Sequence, residues 1–319
     1  MLKRYSKKCA VIFNPESGVI KKQKKDIISY LKNQLNENDY KVKIFKTKRK
    51  KHATSIVTKM KHKDLVVCLG GDGTLNEVVT GNLRREDKLL ISHLPFGTVN
   101  DVATMYGYTS NFEKNISYLL NGIEKTVDIC KINDKPFVYV ACLGSFVDVS
   151  FDTPREWKSK YGRIAYIMYG LKEINKKINT YKLKYEINGN TYEGEYSFIF
   201  ISNSSRIAGL DNVYKDVKLD DNKFEIAFIK AKNKAEIVKI AAQFLTKELK
   251  DIKDIEYYQT NNLIIEFEKI PDASWSIDGE EYKQDNRVLY FNIDRSMKML
   301  LPNNKIKKLF VDEKDDILN

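Results

Sequence analysis

The residues with the most evident chemistry in this 319-residue chain are Gly70, Gly71, Asp72, Gly73 and Thr74. They follow an apolar run at residues 65–69 (LVVCL) and precede an amphipathic segment containing Leu75, Asn76 and Glu77. A buried strand that feeds a glycine turn and then a helix can hold phosphate. The missing side chains let backbone N–H groups approach the anion, and the helix N-terminus adds partial positive charge. Asp72 is the discordant member, since a carboxylate beside a phosphate is repelled unless a cation lies between them. The loop therefore implies Mg²⁺ as well as a nucleotide. It contains neither Gly-Lys-Ser/Thr nor G-x-G-x-x-G, which excludes the P-loop and the dinucleotide turn. Of three histidines, His52 and His62 lie among lysines and read as solvent-exposed, so acid–base chemistry falls to carboxylates. Cys9, Cys68, Cys130 and Cys142 lack metal-ligand spacing and read as core thiols.

The elements that must position this loop alternate over the first 130 residues. Residues 10–13 read as a buried strand ending in the turn-rich Asn14-Pro15-Glu16-Ser17-Gly18. Ile27, Ile28, Leu31 and Leu35 recur at helical spacing, residues 42–45 form a strand, and Ala53, Ile56, Val57 and Met60 mark a second helix. Residues 89–94 form another strand, ending at Pro95-Phe96-Gly97-Thr98. This order predicts an α/β domain with a parallel sheet, whose ligands gather at the C-terminal strand ends. After Asp128, strands are expected at 137–142, 182–187, 191–202, 224–229, 263–267 and 288–293, with Asn188-Gly189-Asn190 as a hairpin turn. Helical segments at 155–176 and 235–249 interrupt them. The expectation is a domain at 1–130 and a mainly antiparallel β-sandwich at 131–302, with 303–319 packing back on the first domain or fraying.

Composition narrows the class. Hydrophobic residues make up 42% and charged residues 31%, and no apolar run reaches the roughly 20 residues that span a bilayer. The apolar run after the basic N-terminus is too short for a signal peptide, so a cytoplasmic location is expected. Net charge is +12, with basic clusters at Lys21, Lys22, Lys24, Lys25 and at Lys46, Lys48, Arg49, Lys50, Lys51. Such patches attract anionic lipid surfaces or phosphates. No nucleic-acid recognition motif accompanies them, and nucleic acid is not expected as a partner.

Gly-Gly-Asp-Gly-Thr-Leu-Asn-Glu resembles the loop shared by diacylglycerol and sphingoid-base kinases and by NAD kinases; phosphofructokinases have Ser for Thr. Further stretches are similar to one branch of these enzymes, the bacterial diacylglycerol kinase family. They are Asn14-Pro15-x-Ser17-Gly18, the second glycine loop from Pro95 to Ala103 (PFGTVNDVA), Lys160-Tyr161-Gly162-Arg163-Ile164-Ala165-Tyr166, and Ile277-Asp278-Gly279-Glu280. In family order, the matches run from residue 10 to about 301.

The resemblance implies an NAD kinase/phosphofructokinase-like first domain, and ATP- and Mg²⁺-dependent transfer of phosphate to a lipid hydroxyl. It implies that ATP is held by Asn14, Pro15, Glu16, Ser17, Gly18, Thr47, Gly71, Asp72, Gly73, Thr74, Leu75, Asn76, Glu77 and Thr98. Asp72, Asp101 and Asp128, expected at three strand or loop ends, would share a Mg²⁺, directly or through water. Glu280 is the candidate general base, set on a tight turn that could project it into a cleft between the domains. A structural Mg²⁺ is implied at Asp221 with the carbonyls of Lys218 and Lys223, although Asn222 stands where the family has Gly. Leu143-Gly144-Ser145-Phe146-Val147-Asp148 departs from the usual Gly-Phe-Asp and could bear on acceptor choice. The expected substrate is diacylglycerol, met by a peripheral protein on the inner membrane face, and a homodimer is compatible with the pattern. The acceptor alternatives are a sphingoid base, ceramide, polyprenol or phosphatidylglycerol. A catalytically silent lipid- or nucleotide-binding regulator is the alternative of another class.

Overall fold

The computed structural model describes residues 5–16, 20–97, 100–144, 178–204, 206–207, 210–211, 214, 217–244 and 247–311. Ser17, Gly18, Thr98, the 160–166 motif, the 155–176 segment, residues 145–148 and the tail beyond 311 lie outside them. The chain divides into two compact units. The first comprises Met1–Ile129, Lys218–Asp221 and Asp294–Asn319, and the second Cys130–Val217 and Asn222–Ile293.

The first unit is built on parallel strands β1 (Lys7–Phe13), β2 (Tyr40–Lys46), β3 (Leu65–Gly70) and β4 (Ile91–Pro95), in the order β2-β1-β3-β4. All six residues of β3 are buried, as a strand covered on both faces requires. Helices α1 (Ile20–Glu37), α2 (His52–Thr58), α3 (Asp72–Leu83), α4 (Asp101–Tyr106) and α5 (Phe112–Leu120) alternate with the strands. Buried Leu31 and Leu35 confirm the spacing read for α1. Phe13 pairs with both Lys46 and Leu69, and Gly70 pairs with Pro95, so the four strands end together on one edge of the sheet. The sheet continues through Met299, which pairs with Ile91 in parallel.

The second unit has two sheets. One contains β8 (Tyr181–Ile187), β9 (Asn190–Tyr196), β15 (Asn262–Phe267) and the early part of β18 (Val288–Leu301). The other runs β14 (Ile255–Thr260), β13 (Phe224–Ile229), β10 (Phe198–Ser202), β7 (Val140–Gly144), β16 (Trp275–Ile277), β17 (Glu280–Tyr282). Their inner faces meet in one core that includes Tyr185, Phe228, Phe267, Trp275 and Phe291. Both domain types expected from the sequence are present. The hairpin turn expected at Asn188-Gly189-Asn190 is present with two residues, Asn188 and Gly189, at φ +52° and +76°, and Asn190 already belongs to β9.

The sequence reading differs from the structure at several strands. The expected strand at 191–202 is two strands in different sheets, separated at Ser197, whose N–H and hydroxyl both bond the Ile229 carbonyl. The expected strand at 137–142 is likewise divided between β6 (Lys135–Phe137) and β7. Strand β18 runs through 288–301 rather than stopping at 293. Asp128 lies inside β5 (Ile123–Ile132), not at a strand or loop end.

Candidate active site

The four loops that leave the shared strand edge carry most of the predicted ligands. After β1, half-buried Asn14 accepts the Glu16 N–H with its side-chain oxygen at 3.0 Å, which closes a tight turn around buried Pro15. After β2, buried Thr47 prolongs the ladder by donating its N–H to the Phe13 carbonyl at 2.9 Å. After β3, Gly71 is extended at the N-cap of α3 and its carbonyl accepts the N–H groups of Thr74 and Leu75. Gly73 is exposed at the first turn, whereas the Leu75 side chain is fully buried.

The loops after β3 and β4 touch backbone to backbone. A Cβ on Gly71 would stand 2.9 Å from the Gly97 Cα, and a Cβ on Gly97 2.6 Å from the Gly71 Cα. Both glycines are thus required by the same contact. Asn100, at φ +55°, pins Gly97 by accepting its N–H at 2.7 Å and donating to its carbonyl at 2.8 Å. Asp72 bridges the two loops. Its carboxylate accepts the N–H of Asp101 at 2.9 Å and of Val102 at 3.3 Å, the first residues of α4. Asp72 and Asp101 are therefore neighbours, with Asp101 buried.

Other predicted residues have structural partners. Glu77 turns away from the loop to accept the N–H groups of Lys51 and Ala53 at 2.7 and 3.0 Å, capping α2. Asn76 accepts a bond from the Thr80 hydroxyl within α3. Asp128 is fully buried and holds the Arg295 guanidinium at 3.2 Å. Arg295 also donates to the Asp220 carbonyl at 2.9 Å, and the Asp128 N–H bonds the Leu219 carbonyl at 2.7 Å. Among the described residues no three His, Cys, Asp or Glu side chains form a metal-holding cluster.

Nothing in residue spacing pointed to Arg295. Asn100 was visible inside the second glycine loop, but its bracket on Gly97 was not. His93, on β4, is fully buried and its Nε2 faces the Gly70 carbonyl at 3.0 Å. Burial pushes this imidazole down to about 4, and it is neutral at neutral pH with the proton on Nε2.

In the second unit, Asp278 and Gly279 have φ of +48° and +84° and form the tight turn between β16 and β17. Gly279 supplies the left-handed conformation at no Cβ cost. The Asp278 carboxylate accepts the N–H groups of Val138, Tyr139 and Val140 at 2.6, 3.0 and 3.0 Å. That clamp holds the turn and sets the half-buried Glu280 at the start of β17. Trp275, from the facing strand, is fully buried and donates to Gln284 at 2.7 Å.

Of the residues predicted for the second metal, Lys218 and Asp221 belong to the first unit and Lys223 to the second. Asn222, next to Asp221, has φ +59°, the left-handed turn conformation expected of it. The Lys218 ammonium reaches the carbonyls of Lys307, Lys308 and Phe310, and the Asp220 carboxylate accepts the Val311 N–H at 2.9 Å. Burial raises the Asp220 carboxyl above the usual range, against the opposing pull of Lys125, Lys218 and Arg295.

Comparison with known proteins adds family to geometry. Residues 8–132 match the family model of the diacylglycerol kinase catalytic domain. A diacylglycerol kinase of Staphylococcus aureus (strain bovine RF122 / ET3-1) is 28% identical over 316 residues, covering 98% of each chain. The enzyme from strain MRSA252 is equally similar, at 28% over 316 residues. The chain thus carries a diacylglycerol kinase catalytic domain and is similar over nearly its whole length to bacterial diacylglycerol kinases. It is therefore a lipid kinase, of a class that draws its phosphoryl group from ATP. Solved structures agree in fold. A Bacillus anthracis structure assigned to the diacylglycerol kinases superposes with a TM-score of 0.74 at 24% identity, over 93% of this chain and 98% of that one. A second from the same organism gives 0.72 at 20%.

Proposed function

We propose that this protein transfers the γ-phosphoryl group of ATP, with Mg²⁺, to the free hydroxyl of diacylglycerol at an anionic membrane surface, giving phosphatidic acid. The carrying observation is the convergence of the β1, β2, β3 and β4 loops on one edge, with Asp72 and Asp101 side by side there. Phosphoryl transfer needs mainly positioning and charge neutralisation, and this edge offers both.

Backbone groups of Gly71, Asp72, Gly73 and Thr74, with Asn14–Gly18, Thr47 and Thr98, would hold the nucleotide. The donor set at Asp72 and Asp101 fits Mg²⁺, which commonly takes one or two carboxylates besides phosphate and water. Asp128 would act beside them through its ion pair with Arg295. Glu280, steadied by the Asp278 clamp, is the proposed general base for the acceptor hydroxyl. Asp221, with the Lys218 and Lys223 carbonyls, would take a structural Mg²⁺; Mg²⁺ should then raise the melting temperature, and Asp221→Asn should abolish the rise.

Lys46 ends β2 and Lys48, Arg49, Lys50 and Lys51 follow it on the same edge, which supports the anionic surface as partner. Vesicle binding that is insensitive to added salt would reject that part.

The deciding assay supplies purified protein with labelled ATP, Mg²⁺ and anionic vesicles carrying diacylglycerol, sphingosine, ceramide, polyprenol or phosphatidylglycerol. Label in phosphatidic acid is the expected result. Transfer to another lipid changes the acceptor and keeps the chemistry, while ATP binding without transfer to any lipid selects the silent regulator.

A further inference from the structure

We infer that His93 is a positioning residue for the nucleotide loop: its imidazole N–H fixes the Gly70–Gly71 peptide so that the Gly71 N–H faces the bound phosphate. The inference rests on the ATP-binding reading of that loop. Two consecutive glycines leave this peptide plane with the least steric restraint of any in the turn, and it would rotate freely if nothing held it. Two donors hold it. The Gly70 carbonyl accepts the Phe96 N–H at 2.8 Å and the His93 Nε2–H at 3.0 Å.

In a trans peptide the carbonyl and the next N–H point in opposite directions. Holding the Gly70 carbonyl toward β4 therefore turns the Gly71 N–H the other way. The described residues offer that N–H no acceptor, although it stands at the N-cap of a twelve-residue helix. A free, fixed donor at that place is what an anionic phosphate oxygen requires.

The rest of the imidazole is consistent with a device for one bond. Its Nδ1 is buried with no hydrogen-bond partner. A side chain whose second polar atom is left unsatisfied carries a cost that packing alone would have avoided with an apolar residue. Burial keeps the ring neutral near pH 7, and the Gly70 carbonyl selects the Nε2–H form.

The test uses two substitutions in the full chain. His93→Gln keeps a donor near the Nε2 position, and His93→Met keeps similar bulk without one. Binding of a fluorescent ATP analogue with Mg²⁺ should weaken about tenfold in His93→Met and stay within about twofold of the parent in His93→Gln. In turnover, the Met change should raise the KM for ATP and leave kcat nearly unaltered. Equal binding by the Met variant and the parent overturns the inference, as does equal weakening in both variants, which would make ring packing the cause. If the parent itself binds no nucleotide, the ATP-binding reading falls and the inference with it. Should the Met variant not fold, the parent still carries the test. With ¹⁵N-glycine label, the Gly71 amide signal should shift on adding the analogue, and a stationary signal overturns the inference.

Discussion

Asp72 performs a structural task independent of any metal. Both its oxygens receive N–H groups from the first residues of α4, so its loss also uncaps that helix. Asp72→Ala should lower stability by about 1–2 kcal/mol in metal-free, nucleotide-free protein, read by urea unfolding, in addition to any loss of turnover. An unchanged unfolding midpoint would mean that the carboxylate serves only the ligand. The Asp-Gly-Glu turn separates the same two roles onto two residues. Asp278→Ala removes the acceptor of two buried N–H groups and one half-buried one, and should cost about 3 kcal/mol of stability. Glu280→Gln should melt like the parent and lose roughly a hundredfold or more in turnover. A Glu280→Gln protein that retains near-normal rate would remove the general base from the mechanism. The sequence reading takes Asp278-Gly279 as a tight turn leading to the candidate base Glu280, because the motif is contiguous. It could not show which was the clamp, since Asp278 acts on residues 138–140, far away in the chain. Arg295 was invisible for the same reason: its partners are Asp128 and the Asp220 carbonyl, and neither lies at a readable spacing from it.

At the scale of elements, the glycine loops act as a pair. Gly97→Ala would drive a methyl group into the Gly71 backbone and the Asn100 side chain, at 2.6 and 2.7 Å. Backbone cannot yield as a flexible side chain does, so the two loops must part. We expect nucleotide binding to weaken at least tenfold, by titration with a fluorescent ATP analogue, while most of the secondary structure stays by circular dichroism. Binding at parental strength would show that the contact is not needed. The strands that carry these loops were legible because β1, β3 and β4 are short apolar runs ended by turn residues. Where the reading failed, the local pattern was misleading. Strand β18 continues through exposed polar residues around Asp294 and Arg295, which break the alternation although the ladder resumes at Met299. Strand β5 begins Ile123-Glu124-Lys125, too charged to suggest an element whose middle is buried. Tertiary pairing decided both.

For the whole molecule, the first unit should lose stability in mild acid. His93 has a native value of about 4, below the usual 6.5, so the unfolded chain binds its proton first as the pH drops. Its stabilising share is complete above pH 6.5 and declines as the pH falls from there toward 4. By pH 5 the loss should be about 2 kcal/mol relative to pH 7.5, by denaturant unfolding at the two values. His93→Gln should flatten that part of the profile; an unaltered slope would assign it to other groups. The composition of the first unit has a consequence in time as well. Its sheet takes in Met299, and its side chains tie Asp128 to Arg295 and Lys218 to the carbonyls of 307–310. During synthesis the glycine loops leave the ribosome long before those residues exist. At about 5–20 residues per second the nascent chain waits on the order of ten seconds for the strand that completes the unit. The proposed nucleotide site thus gains this neighbouring strand only after the second unit has been synthesised, and a chain stalled before residue 294 carries β1 to β4 and the glycines of their loops without the strand that pairs with β4.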